Sequence, residues 1–151
     1  MQTQLLTRDK LVAVMNPNHR LVKRDAVRLS ELCKERLIQL GAPSELEGRV
    51  AETFRRFAVS PNVQIETDTL DSIKKMVAQN LGVGIVPHMC VRKEERTGEL
   101  IVRPIQEFPE ERSLWIVYRR QSTEPSPVCQ AFVKLVRSAL NKGAATPPRR
   151  Q

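Results

Sequence analysis

In "TLDSIKKMVAQNLGVGIVP", residues 69–87, the hydrophobic pattern changes its period partway along. Leu70, Ile73, Val77 and Leu81 fall at helical spacing on one face, and Thr69 or Asp68 supplies an oxygen to cap the helix start. Gly82 is suited to the left-handed conformation that ends a helix. The run "VGIV" then reads as a short buried strand, and Pro87 stops further strand pairing. A helix stop, a straight strand and a change of direction therefore follow one another within a few residues.

The same alternation of elements extends in both directions. Upstream, "KLVAVM" (10–15) is a β-branched apolar run ended by the turn signal "NPNH", and a short helix is expected near Ser30–Lys34. "RLIQL" (36–40) is a second compact strand. Ser44, with Glu47 three residues on, forms a capping box for a helix whose stripe is Leu46, Val50, Phe54 and Phe57. "NVQIET" (62–67) alternates, with Val63 and Ile65 on one side. Downstream, a helix runs to about Arg96 and ends near Gly98, followed by strands at "ELIVRP" and "SLWIVYR". Ser126–Pro127 opens a last helix with the stripe Val128, Phe132, Val136 and Leu140. "GAATPPRRQ" reads as a disordered tail. Strands alternating with helices predict an α/β protein with mostly parallel connections.

Composition sets further bounds. The chain has 151 residues, 40% of them hydrophobic, enough for one ordinary domain or two small lobes. No apolar run approaches a membrane helix, and the N-terminus lacks a signal-peptide pattern. Cys33, Cys90 and Cys129 are single and odd in number, which points to free thiols and a cytoplasmic location. The net charge of +8 raises nucleic acid as a partner. However, residues 1–87 hold 13 basic and 10 acidic side chains, and residues 88–151 hold 12 and 7. Charge diluted in this way describes a mildly basic solvated surface better than a binding face.

Catalytic and metal chemistry have little to stand on. His19 and His88 are the only histidines, and no Cys/His/carboxylate cluster has metal-ligand spacing. His19 reads as a solvated turn residue, His88 as a helix-start or cleft-edge residue, and Cys90 as a small packed side chain. Trp115 in its alternating strand is expected in the core. No carboxylate pair is singled out for acid–base work, so the chain is not read as an enzyme, and no cofactor is implied. In α/β sheets, ligands sit beyond the carboxyl ends of strands, where helix N-termini present free N–H groups. Two strand-to-helix corners qualify here. One carries Gln39, Leu40, Gly41 and Ser44; the other carries Thr67 and Thr69. The plainer alternative is that Ser44 and Thr69 only cap their helices.

The order of these motifs resembles the effector-binding region of LysR-type bacterial transcriptional regulators. The likeness rests on "KLVAVMNPNHRL", "VRLSELCKERLIQL", the capped helix, "IETDTLDSIKKMVAQNLGVGIVPHMCVRKEERTGELIVRPI", "RSLWIVYRR" and the last helix with Phe132. The resemblance implies a periplasmic-binding-protein-like (type II) α/β fold, with a mixed sheet flanked by helices and a ligand cleft between two lobes. Residues 10–86 would supply the second lobe, residues 87–141 the C-terminal portion of the first, and 142–151 a tail. It implies a small-molecule effector held by Gln39, Leu40, Gly41, Ser44, Thr67 and Thr69, and a homo-oligomer. DNA contact would come only through a helix-turn-helix that this sequence lacks, as it lacks the opening elements of the first lobe, so either a fragment or a truncated reading frame is expected. Arg20 in "NPNHRL" stands where the family often has proline. A solute-binding protein of the same fold, a small dehydratase and a dimerising fragment without its own ligand are the competing readings.

Overall fold

Caps and apolar periodicity divide the chain as follows. β1 (Gln2–Asp9) and β2 (Leu11–Met15) precede a 3-10 turn at Arg20–Lys23 and the short helix α1 (Leu29–Leu32). Next come β3 (Leu37–Leu40), α2 (Glu45–Arg56), β4 (Val63–Thr67), α3 (Leu70–Ala78) and β5 (Val83–Pro87). A second 3-10 turn, His88–Cys90, leads to α4 (Arg92–Thr97), β6 (Ile101–Pro104), β7 (Arg112–Tyr118) and α5 (Pro127–Ala144). The structure, a computed structural model, describes residues 2–41, 43–108, 111–118 and 126–144. Its contacts separate two compact units, Lys10–Glu110 and Met1–Asp9 with Glu111–Gln151.

The larger unit is built on a sheet of order β4–β3–β5–β2–β6. β3 runs parallel to β4 and β5, whereas β2 is antiparallel to β5 and β6. The sheet is therefore mixed, as the family resemblance implies, and not mostly parallel as alternation alone suggested. Every residue of β2 is buried, and its pleat divides them between two layers. Leu11, Ala13 and Met15 pack with Leu21, Leu29, Leu32 and Phe54 on one side. Val12 and Val14 pack with Ile73, Val77, Val91 and Leu100 on the other. A fully buried side chain of this size contributes about 1.5–3 kcal/mol, so both layers matter. β6 belongs to this sheet through its pairing with β2. For that reason the compact unit continues to Glu110, past the boundary expected at Val86–Pro87.

The opening stretch folds with one change of roles. Thr69 caps α3, its hydroxyl accepting from Ser72 N–H at 3.1 Å. The helix ends at Ala78, and the Asn16 side-chain amide from the "NPNH" turn donates to the Ala78 carbonyl at 2.7 Å. The left-handed residue is Asn80, with φ 58°, not Gly82. Leu81 lies beyond the helix and is exposed. Gly82 is required for close approach: a Cβ there would stand 2.4 Å from the Arg36 carbonyl oxygen. That carbonyl also receives the Val83 N–H at 2.8 Å, the bond that sets β5 beside β3.

The smaller unit is an antiparallel ribbon of β1 and β7 with α5. Its register runs from Gln2 opposite Tyr118 to Asp9 opposite Arg112, with an irregularity between Leu5 and Thr7. The Leu5–Leu6 doublet interrupts the alternation at that point, which hides β1 from a pattern search. α5 turns Val133 inward, with Cys129, Val136 and Leu140 half-buried. Val128 and Phe132 of the expected stripe are instead exposed, as is Leu135. Trp115 is 55% exposed, so the expectation that it is core does not hold. α5 continues through Lys142, Gly143 and Ala144, so the tail cannot begin at residue 142. Residues 145–151 lie outside the described residues.

Candidate functional site

The candidate site forms where β3 and β4 end. Gln39 is opposite Glu66 and Leu40 opposite Thr67 in the parallel register, and Gly41 N–H donates to the Thr67 carbonyl at 3.0 Å. The two expected corners are thus brought together at the carboxyl edge of one strand pair. Ser44 Oγ accepts from Glu47 N–H at 3.1 Å, one half of the expected capping box. Thr69 Oγ1 accepts from Ser72 N–H and donates to Ser72 Oγ at 2.9 Å. Both hydroxyls act as caps, and Thr69 has its proton engaged as well.

Strand alternation then sorts the six residues. Ile38 and Leu40 belong with the α3 side of the sheet, where they pack with Ile73, Val77 and Ile65. Leu37 belongs with the α2 side, alongside Leu46, Val50 and Phe54. By the same alternation Gln39 faces α2, and its register neighbour Glu66 shares that face. Between β3 and α2 lies a small recess of about 20 Å3, partly open to solvent, lined by Leu37–Leu40, by Leu46, Glu47 and Val50, and by Ile85. Gln39 and Leu40 reach it; Gly41, Ser44, Thr67 and Thr69 do not line it. Glu66 was not singled out from the sequence. Its place off the apolar side of "NVQIET" carried the only hint, since its partner across β3 is set by the register. A Cβ on Gly41 would lie 3.1 Å from Glu66 Cβ and 3.4 Å from its Oε2, so glycine leaves room for that carboxylate.

A second polar cluster ties α3 to the segment after β5. Lys74 Nζ lies 2.9 Å from Asp71 Oδ1, 2.9 Å from Glu94 Oε1 and 3.1 Å from the Cys90 carbonyl. Burial pushes the Lys74 ammonium down, but its hydrogen bonds to Glu94 and Asp71 outweigh that and hold it above the ordinary lysine value. Burial likewise pushes Glu94 up, and the Lys74 hydrogen bond outweighs it and holds the carboxyl low. Beside this cluster, His88 Nε2 is 2.7 Å from Glu95 Oε2, where it opens the 3-10 turn. His19 is not the solvated turn residue expected. Its side chain is 12% exposed, its Nδ1 accepts from Leu21 N–H, and its Nε2 faces Glu35. Among the described residues no group of three or more His, Cys, Asp or Glu is arranged to hold a metal ion. No helix among them is long and apolar enough to cross a membrane.

This geometry has counterparts among known proteins. The family model of the LysR substrate binding domain matches residues 1–141. The HTH-type transcriptional activator CmpR of Synechocystis sp. is 30% identical over 123 residues, which covers 82% of this chain and 40% of that protein. The chain therefore spans less than half the length of this curated relative. The regulatory domain of CcmR from Synechocystis PCC6803, solved in complex with 2-PG, superposes with a TM-score of 0.77 at 22% identity, over 92% of this chain and 66% of that one. The effector binding domain of QuiR in complex with shikimate gives 0.67 at 21% identity, over 93% and 66%. These two share the fold. The relatives are transcriptional regulators rather than enzymes.

Proposed function

The chain belongs to the LysR substrate-binding-domain family, and from that premise we propose that it is the effector-sensing and oligomerising part of a cytoplasmic bacterial transcriptional regulator. A small metabolite binds at the edge formed by β3 and β4. Gln39 and the groups of Gly41, Ser44, Thr67 and Thr69 hold its polar atoms, while Leu40 contributes apolar contact. Operator recognition belongs to a helix-turn-helix outside residues 1–151. The effector alters transcription only to the extent that it prefers one lobe arrangement or one subunit packing over another.

The observation that carries this reading is the junction of the two corners, with Gly41 N–H bonded to the Thr67 carbonyl and two helix N-termini beside it. Binding domains of the same fold solved with 2-PG and with shikimate support a small polar ligand. A metabolite thermal-shift screen on the chain tests it. A ligand at 100 times its dissociation constant should stabilise the fold by about 2.7 kcal/mol. Ser44→Ala or Thr69→Val should weaken that hit. A ligand whose binding ignores both substitutions places the site elsewhere.

A further inference from the structure

α5 carries two apolar stripes that meet different surroundings. Cys129, Val133, Val136 and Leu140 turn inward, and Arg137 of the same helix donates to the Leu5 carbonyl of β1 at 3.0 Å. The second stripe is Val128, Phe132, Leu135 and Ala139, all exposed, with Val128 at 79%, Phe132 at 55% and Leu135 at 68%. Its spacing of four, three and four residues is that of a helix that seats against another helix. The sequences "RRQSTEP" (119–125) and "ATPPRRQ" (145–151) hold no large apolar residue to lay over it.

Charge separates the candidate occupants. A helix that rests on an anionic lipid surface, or takes an acidic partner, sets its cations along the border of the apolar face. Here Lys134 and Arg137 stand roughly 140° or more around the helix from Phe132, at about 100° per residue. The residues that flank the stripe are Ala131 and Ser138 on one side and Cys129 and Val136 on the other, and α5 holds no acidic residue. An uncharged seam with small flanks lets a second helix approach closely without opposing like charges. It is also self-complementary. About a two-fold axis between positions 132 and 135, Phe132 meets Leu135 of a second copy and Val128 meets Ala139. That arrangement is antiparallel, so the positive start of each helix lies beside the negative end of the other.

We propose that the outward stripe of α5 is a contact surface for a second copy of this chain, with the two helices antiparallel. This gives a surface to the oligomerising role read above and does not depend on the effector site. α5 has 18 residues and is about 27 Å long. One helix face of that length falls short of the roughly 1,200 Å2 of a stable interface. The pair is therefore reversible, with a dissociation constant on the order of 100 µM, and α5 is unpaired at the low concentrations of an unfolding titration.

Sedimentation equilibrium of the whole chain, at concentrations spanning that constant, should show a monomer–dimer equilibrium. Phe132→Lys or Leu135→Glu alone should weaken it at least about tenfold. Both positions are more than half exposed, so both variants should keep the thermal midpoint of the parent chain. Mixed in equal amounts, the two variants should recover most of the affinity. Antiparallel pairing sets the new lysine of one against the new glutamate of the other and leaves one Phe132–Leu135 contact intact, whereas a parallel pair gives no recovery. A monomer at every concentration, or no recovery on mixing, overturns the proposal. Association that ignores both substitutions but is lost in Trp115→Ala would keep an oligomer and move its contact to the ribbon. Retention on phosphatidylglycerol vesicles, lost in both variants, would put a lipid surface on the stripe instead. None of these outcomes touches a ligand bound at the β3–β4 edge, so the two readings fail separately.

Discussion

The two compact units use similar apolar strands to opposite effect. In the larger, β2 has neighbours on both sides and a packed layer on each face, so all five of its residues are buried. In the smaller, β7 pairs among the described residues with β1 alone and alternates half-buried with exposed residues, leaving Trp115 and Val117 more than half exposed. α5 repeats the lesson, since Val128, Phe132 and Leu135 lie at helical spacing yet face outward. An apolar stripe marks a surface that can be buried. Whether it is buried depends on how many elements are present to cover it.

The largest expected difference is in hydrogen exchange. Amides of β2 and β5 should exchange only through global unfolding, and those of β7 through local opening that costs far less. The uncovered faces also favour association, because exposed apolar patches and ribbon edges recruit copies. Light scattering across a dilution series should therefore show species above monomer mass. A stable monomer with equal protection in β2 and β7 would break the comparison.

Paired truncations sharpen it. Phe54 is 1% exposed between α2 and the sheet, and Phe132 is 55% exposed on α5. Phe54→Ala should cost about 3–5 kcal/mol in urea unfolding, whereas Phe132→Ala should stay within about 0.5 kcal/mol. Equal losses would mean that the α5 face is covered in solution. Two glycines make a smaller contrast within the larger unit. Gly82→Ala forces a Cβ against the Arg36 carbonyl and should destabilise by about 1–3 kcal/mol. Gly48, mid-helix in α2, has nothing within 4 Å of an added Cβ. Gly48→Ala should therefore stabilise by about 0.5–1 kcal/mol. If Gly82→Ala were neutral, the close approach of β5 and β3 would be wrong.

The smallest effect expected is on pH dependence. Glu94 titrates lower in the folded chain than a free carboxyl, so its contribution is present above the ordinary carboxylate range and lost as pH falls through its depressed value. Lys74 titrates higher, so its contribution is full below the ordinary lysine value and lost as pH rises past the raised one. Between these limits the Lys74–Glu94 pair should add no pH dependence to the thermal midpoint. Lys74→Met should reduce the acid-side dependence; an unchanged acid limb would show that the pair does not couple α3 to α4.

Much of this molecule follows from local rules that operate along the chain. Ser44, Thr69 and Ser126 sit where N-caps are needed, and Gly98 takes the left-handed position that closes α4. Those residues act on backbone groups a few positions away, which is why the strands and helices of the larger unit were legible from spacing, and the corners Gln39–Ser44 and Thr67–Thr69 with them. Strand order, the function of Gly82, the outward turn of Phe132 and Trp115, and the meeting of Gln39 with Glu66 were not legible. Each depends on a neighbour distant in sequence: the Arg36 carbonyl for Gly82, the β1–β7 pairing for Trp115, the β3–β4 register for Glu66. A hydrophobic period states which face of an element wants cover, and a cap states where the element begins. Only tertiary packing, by bringing distant backbone and side-chain atoms into contact, decided which faces received cover and which polar groups gathered at the β3–β4 edge.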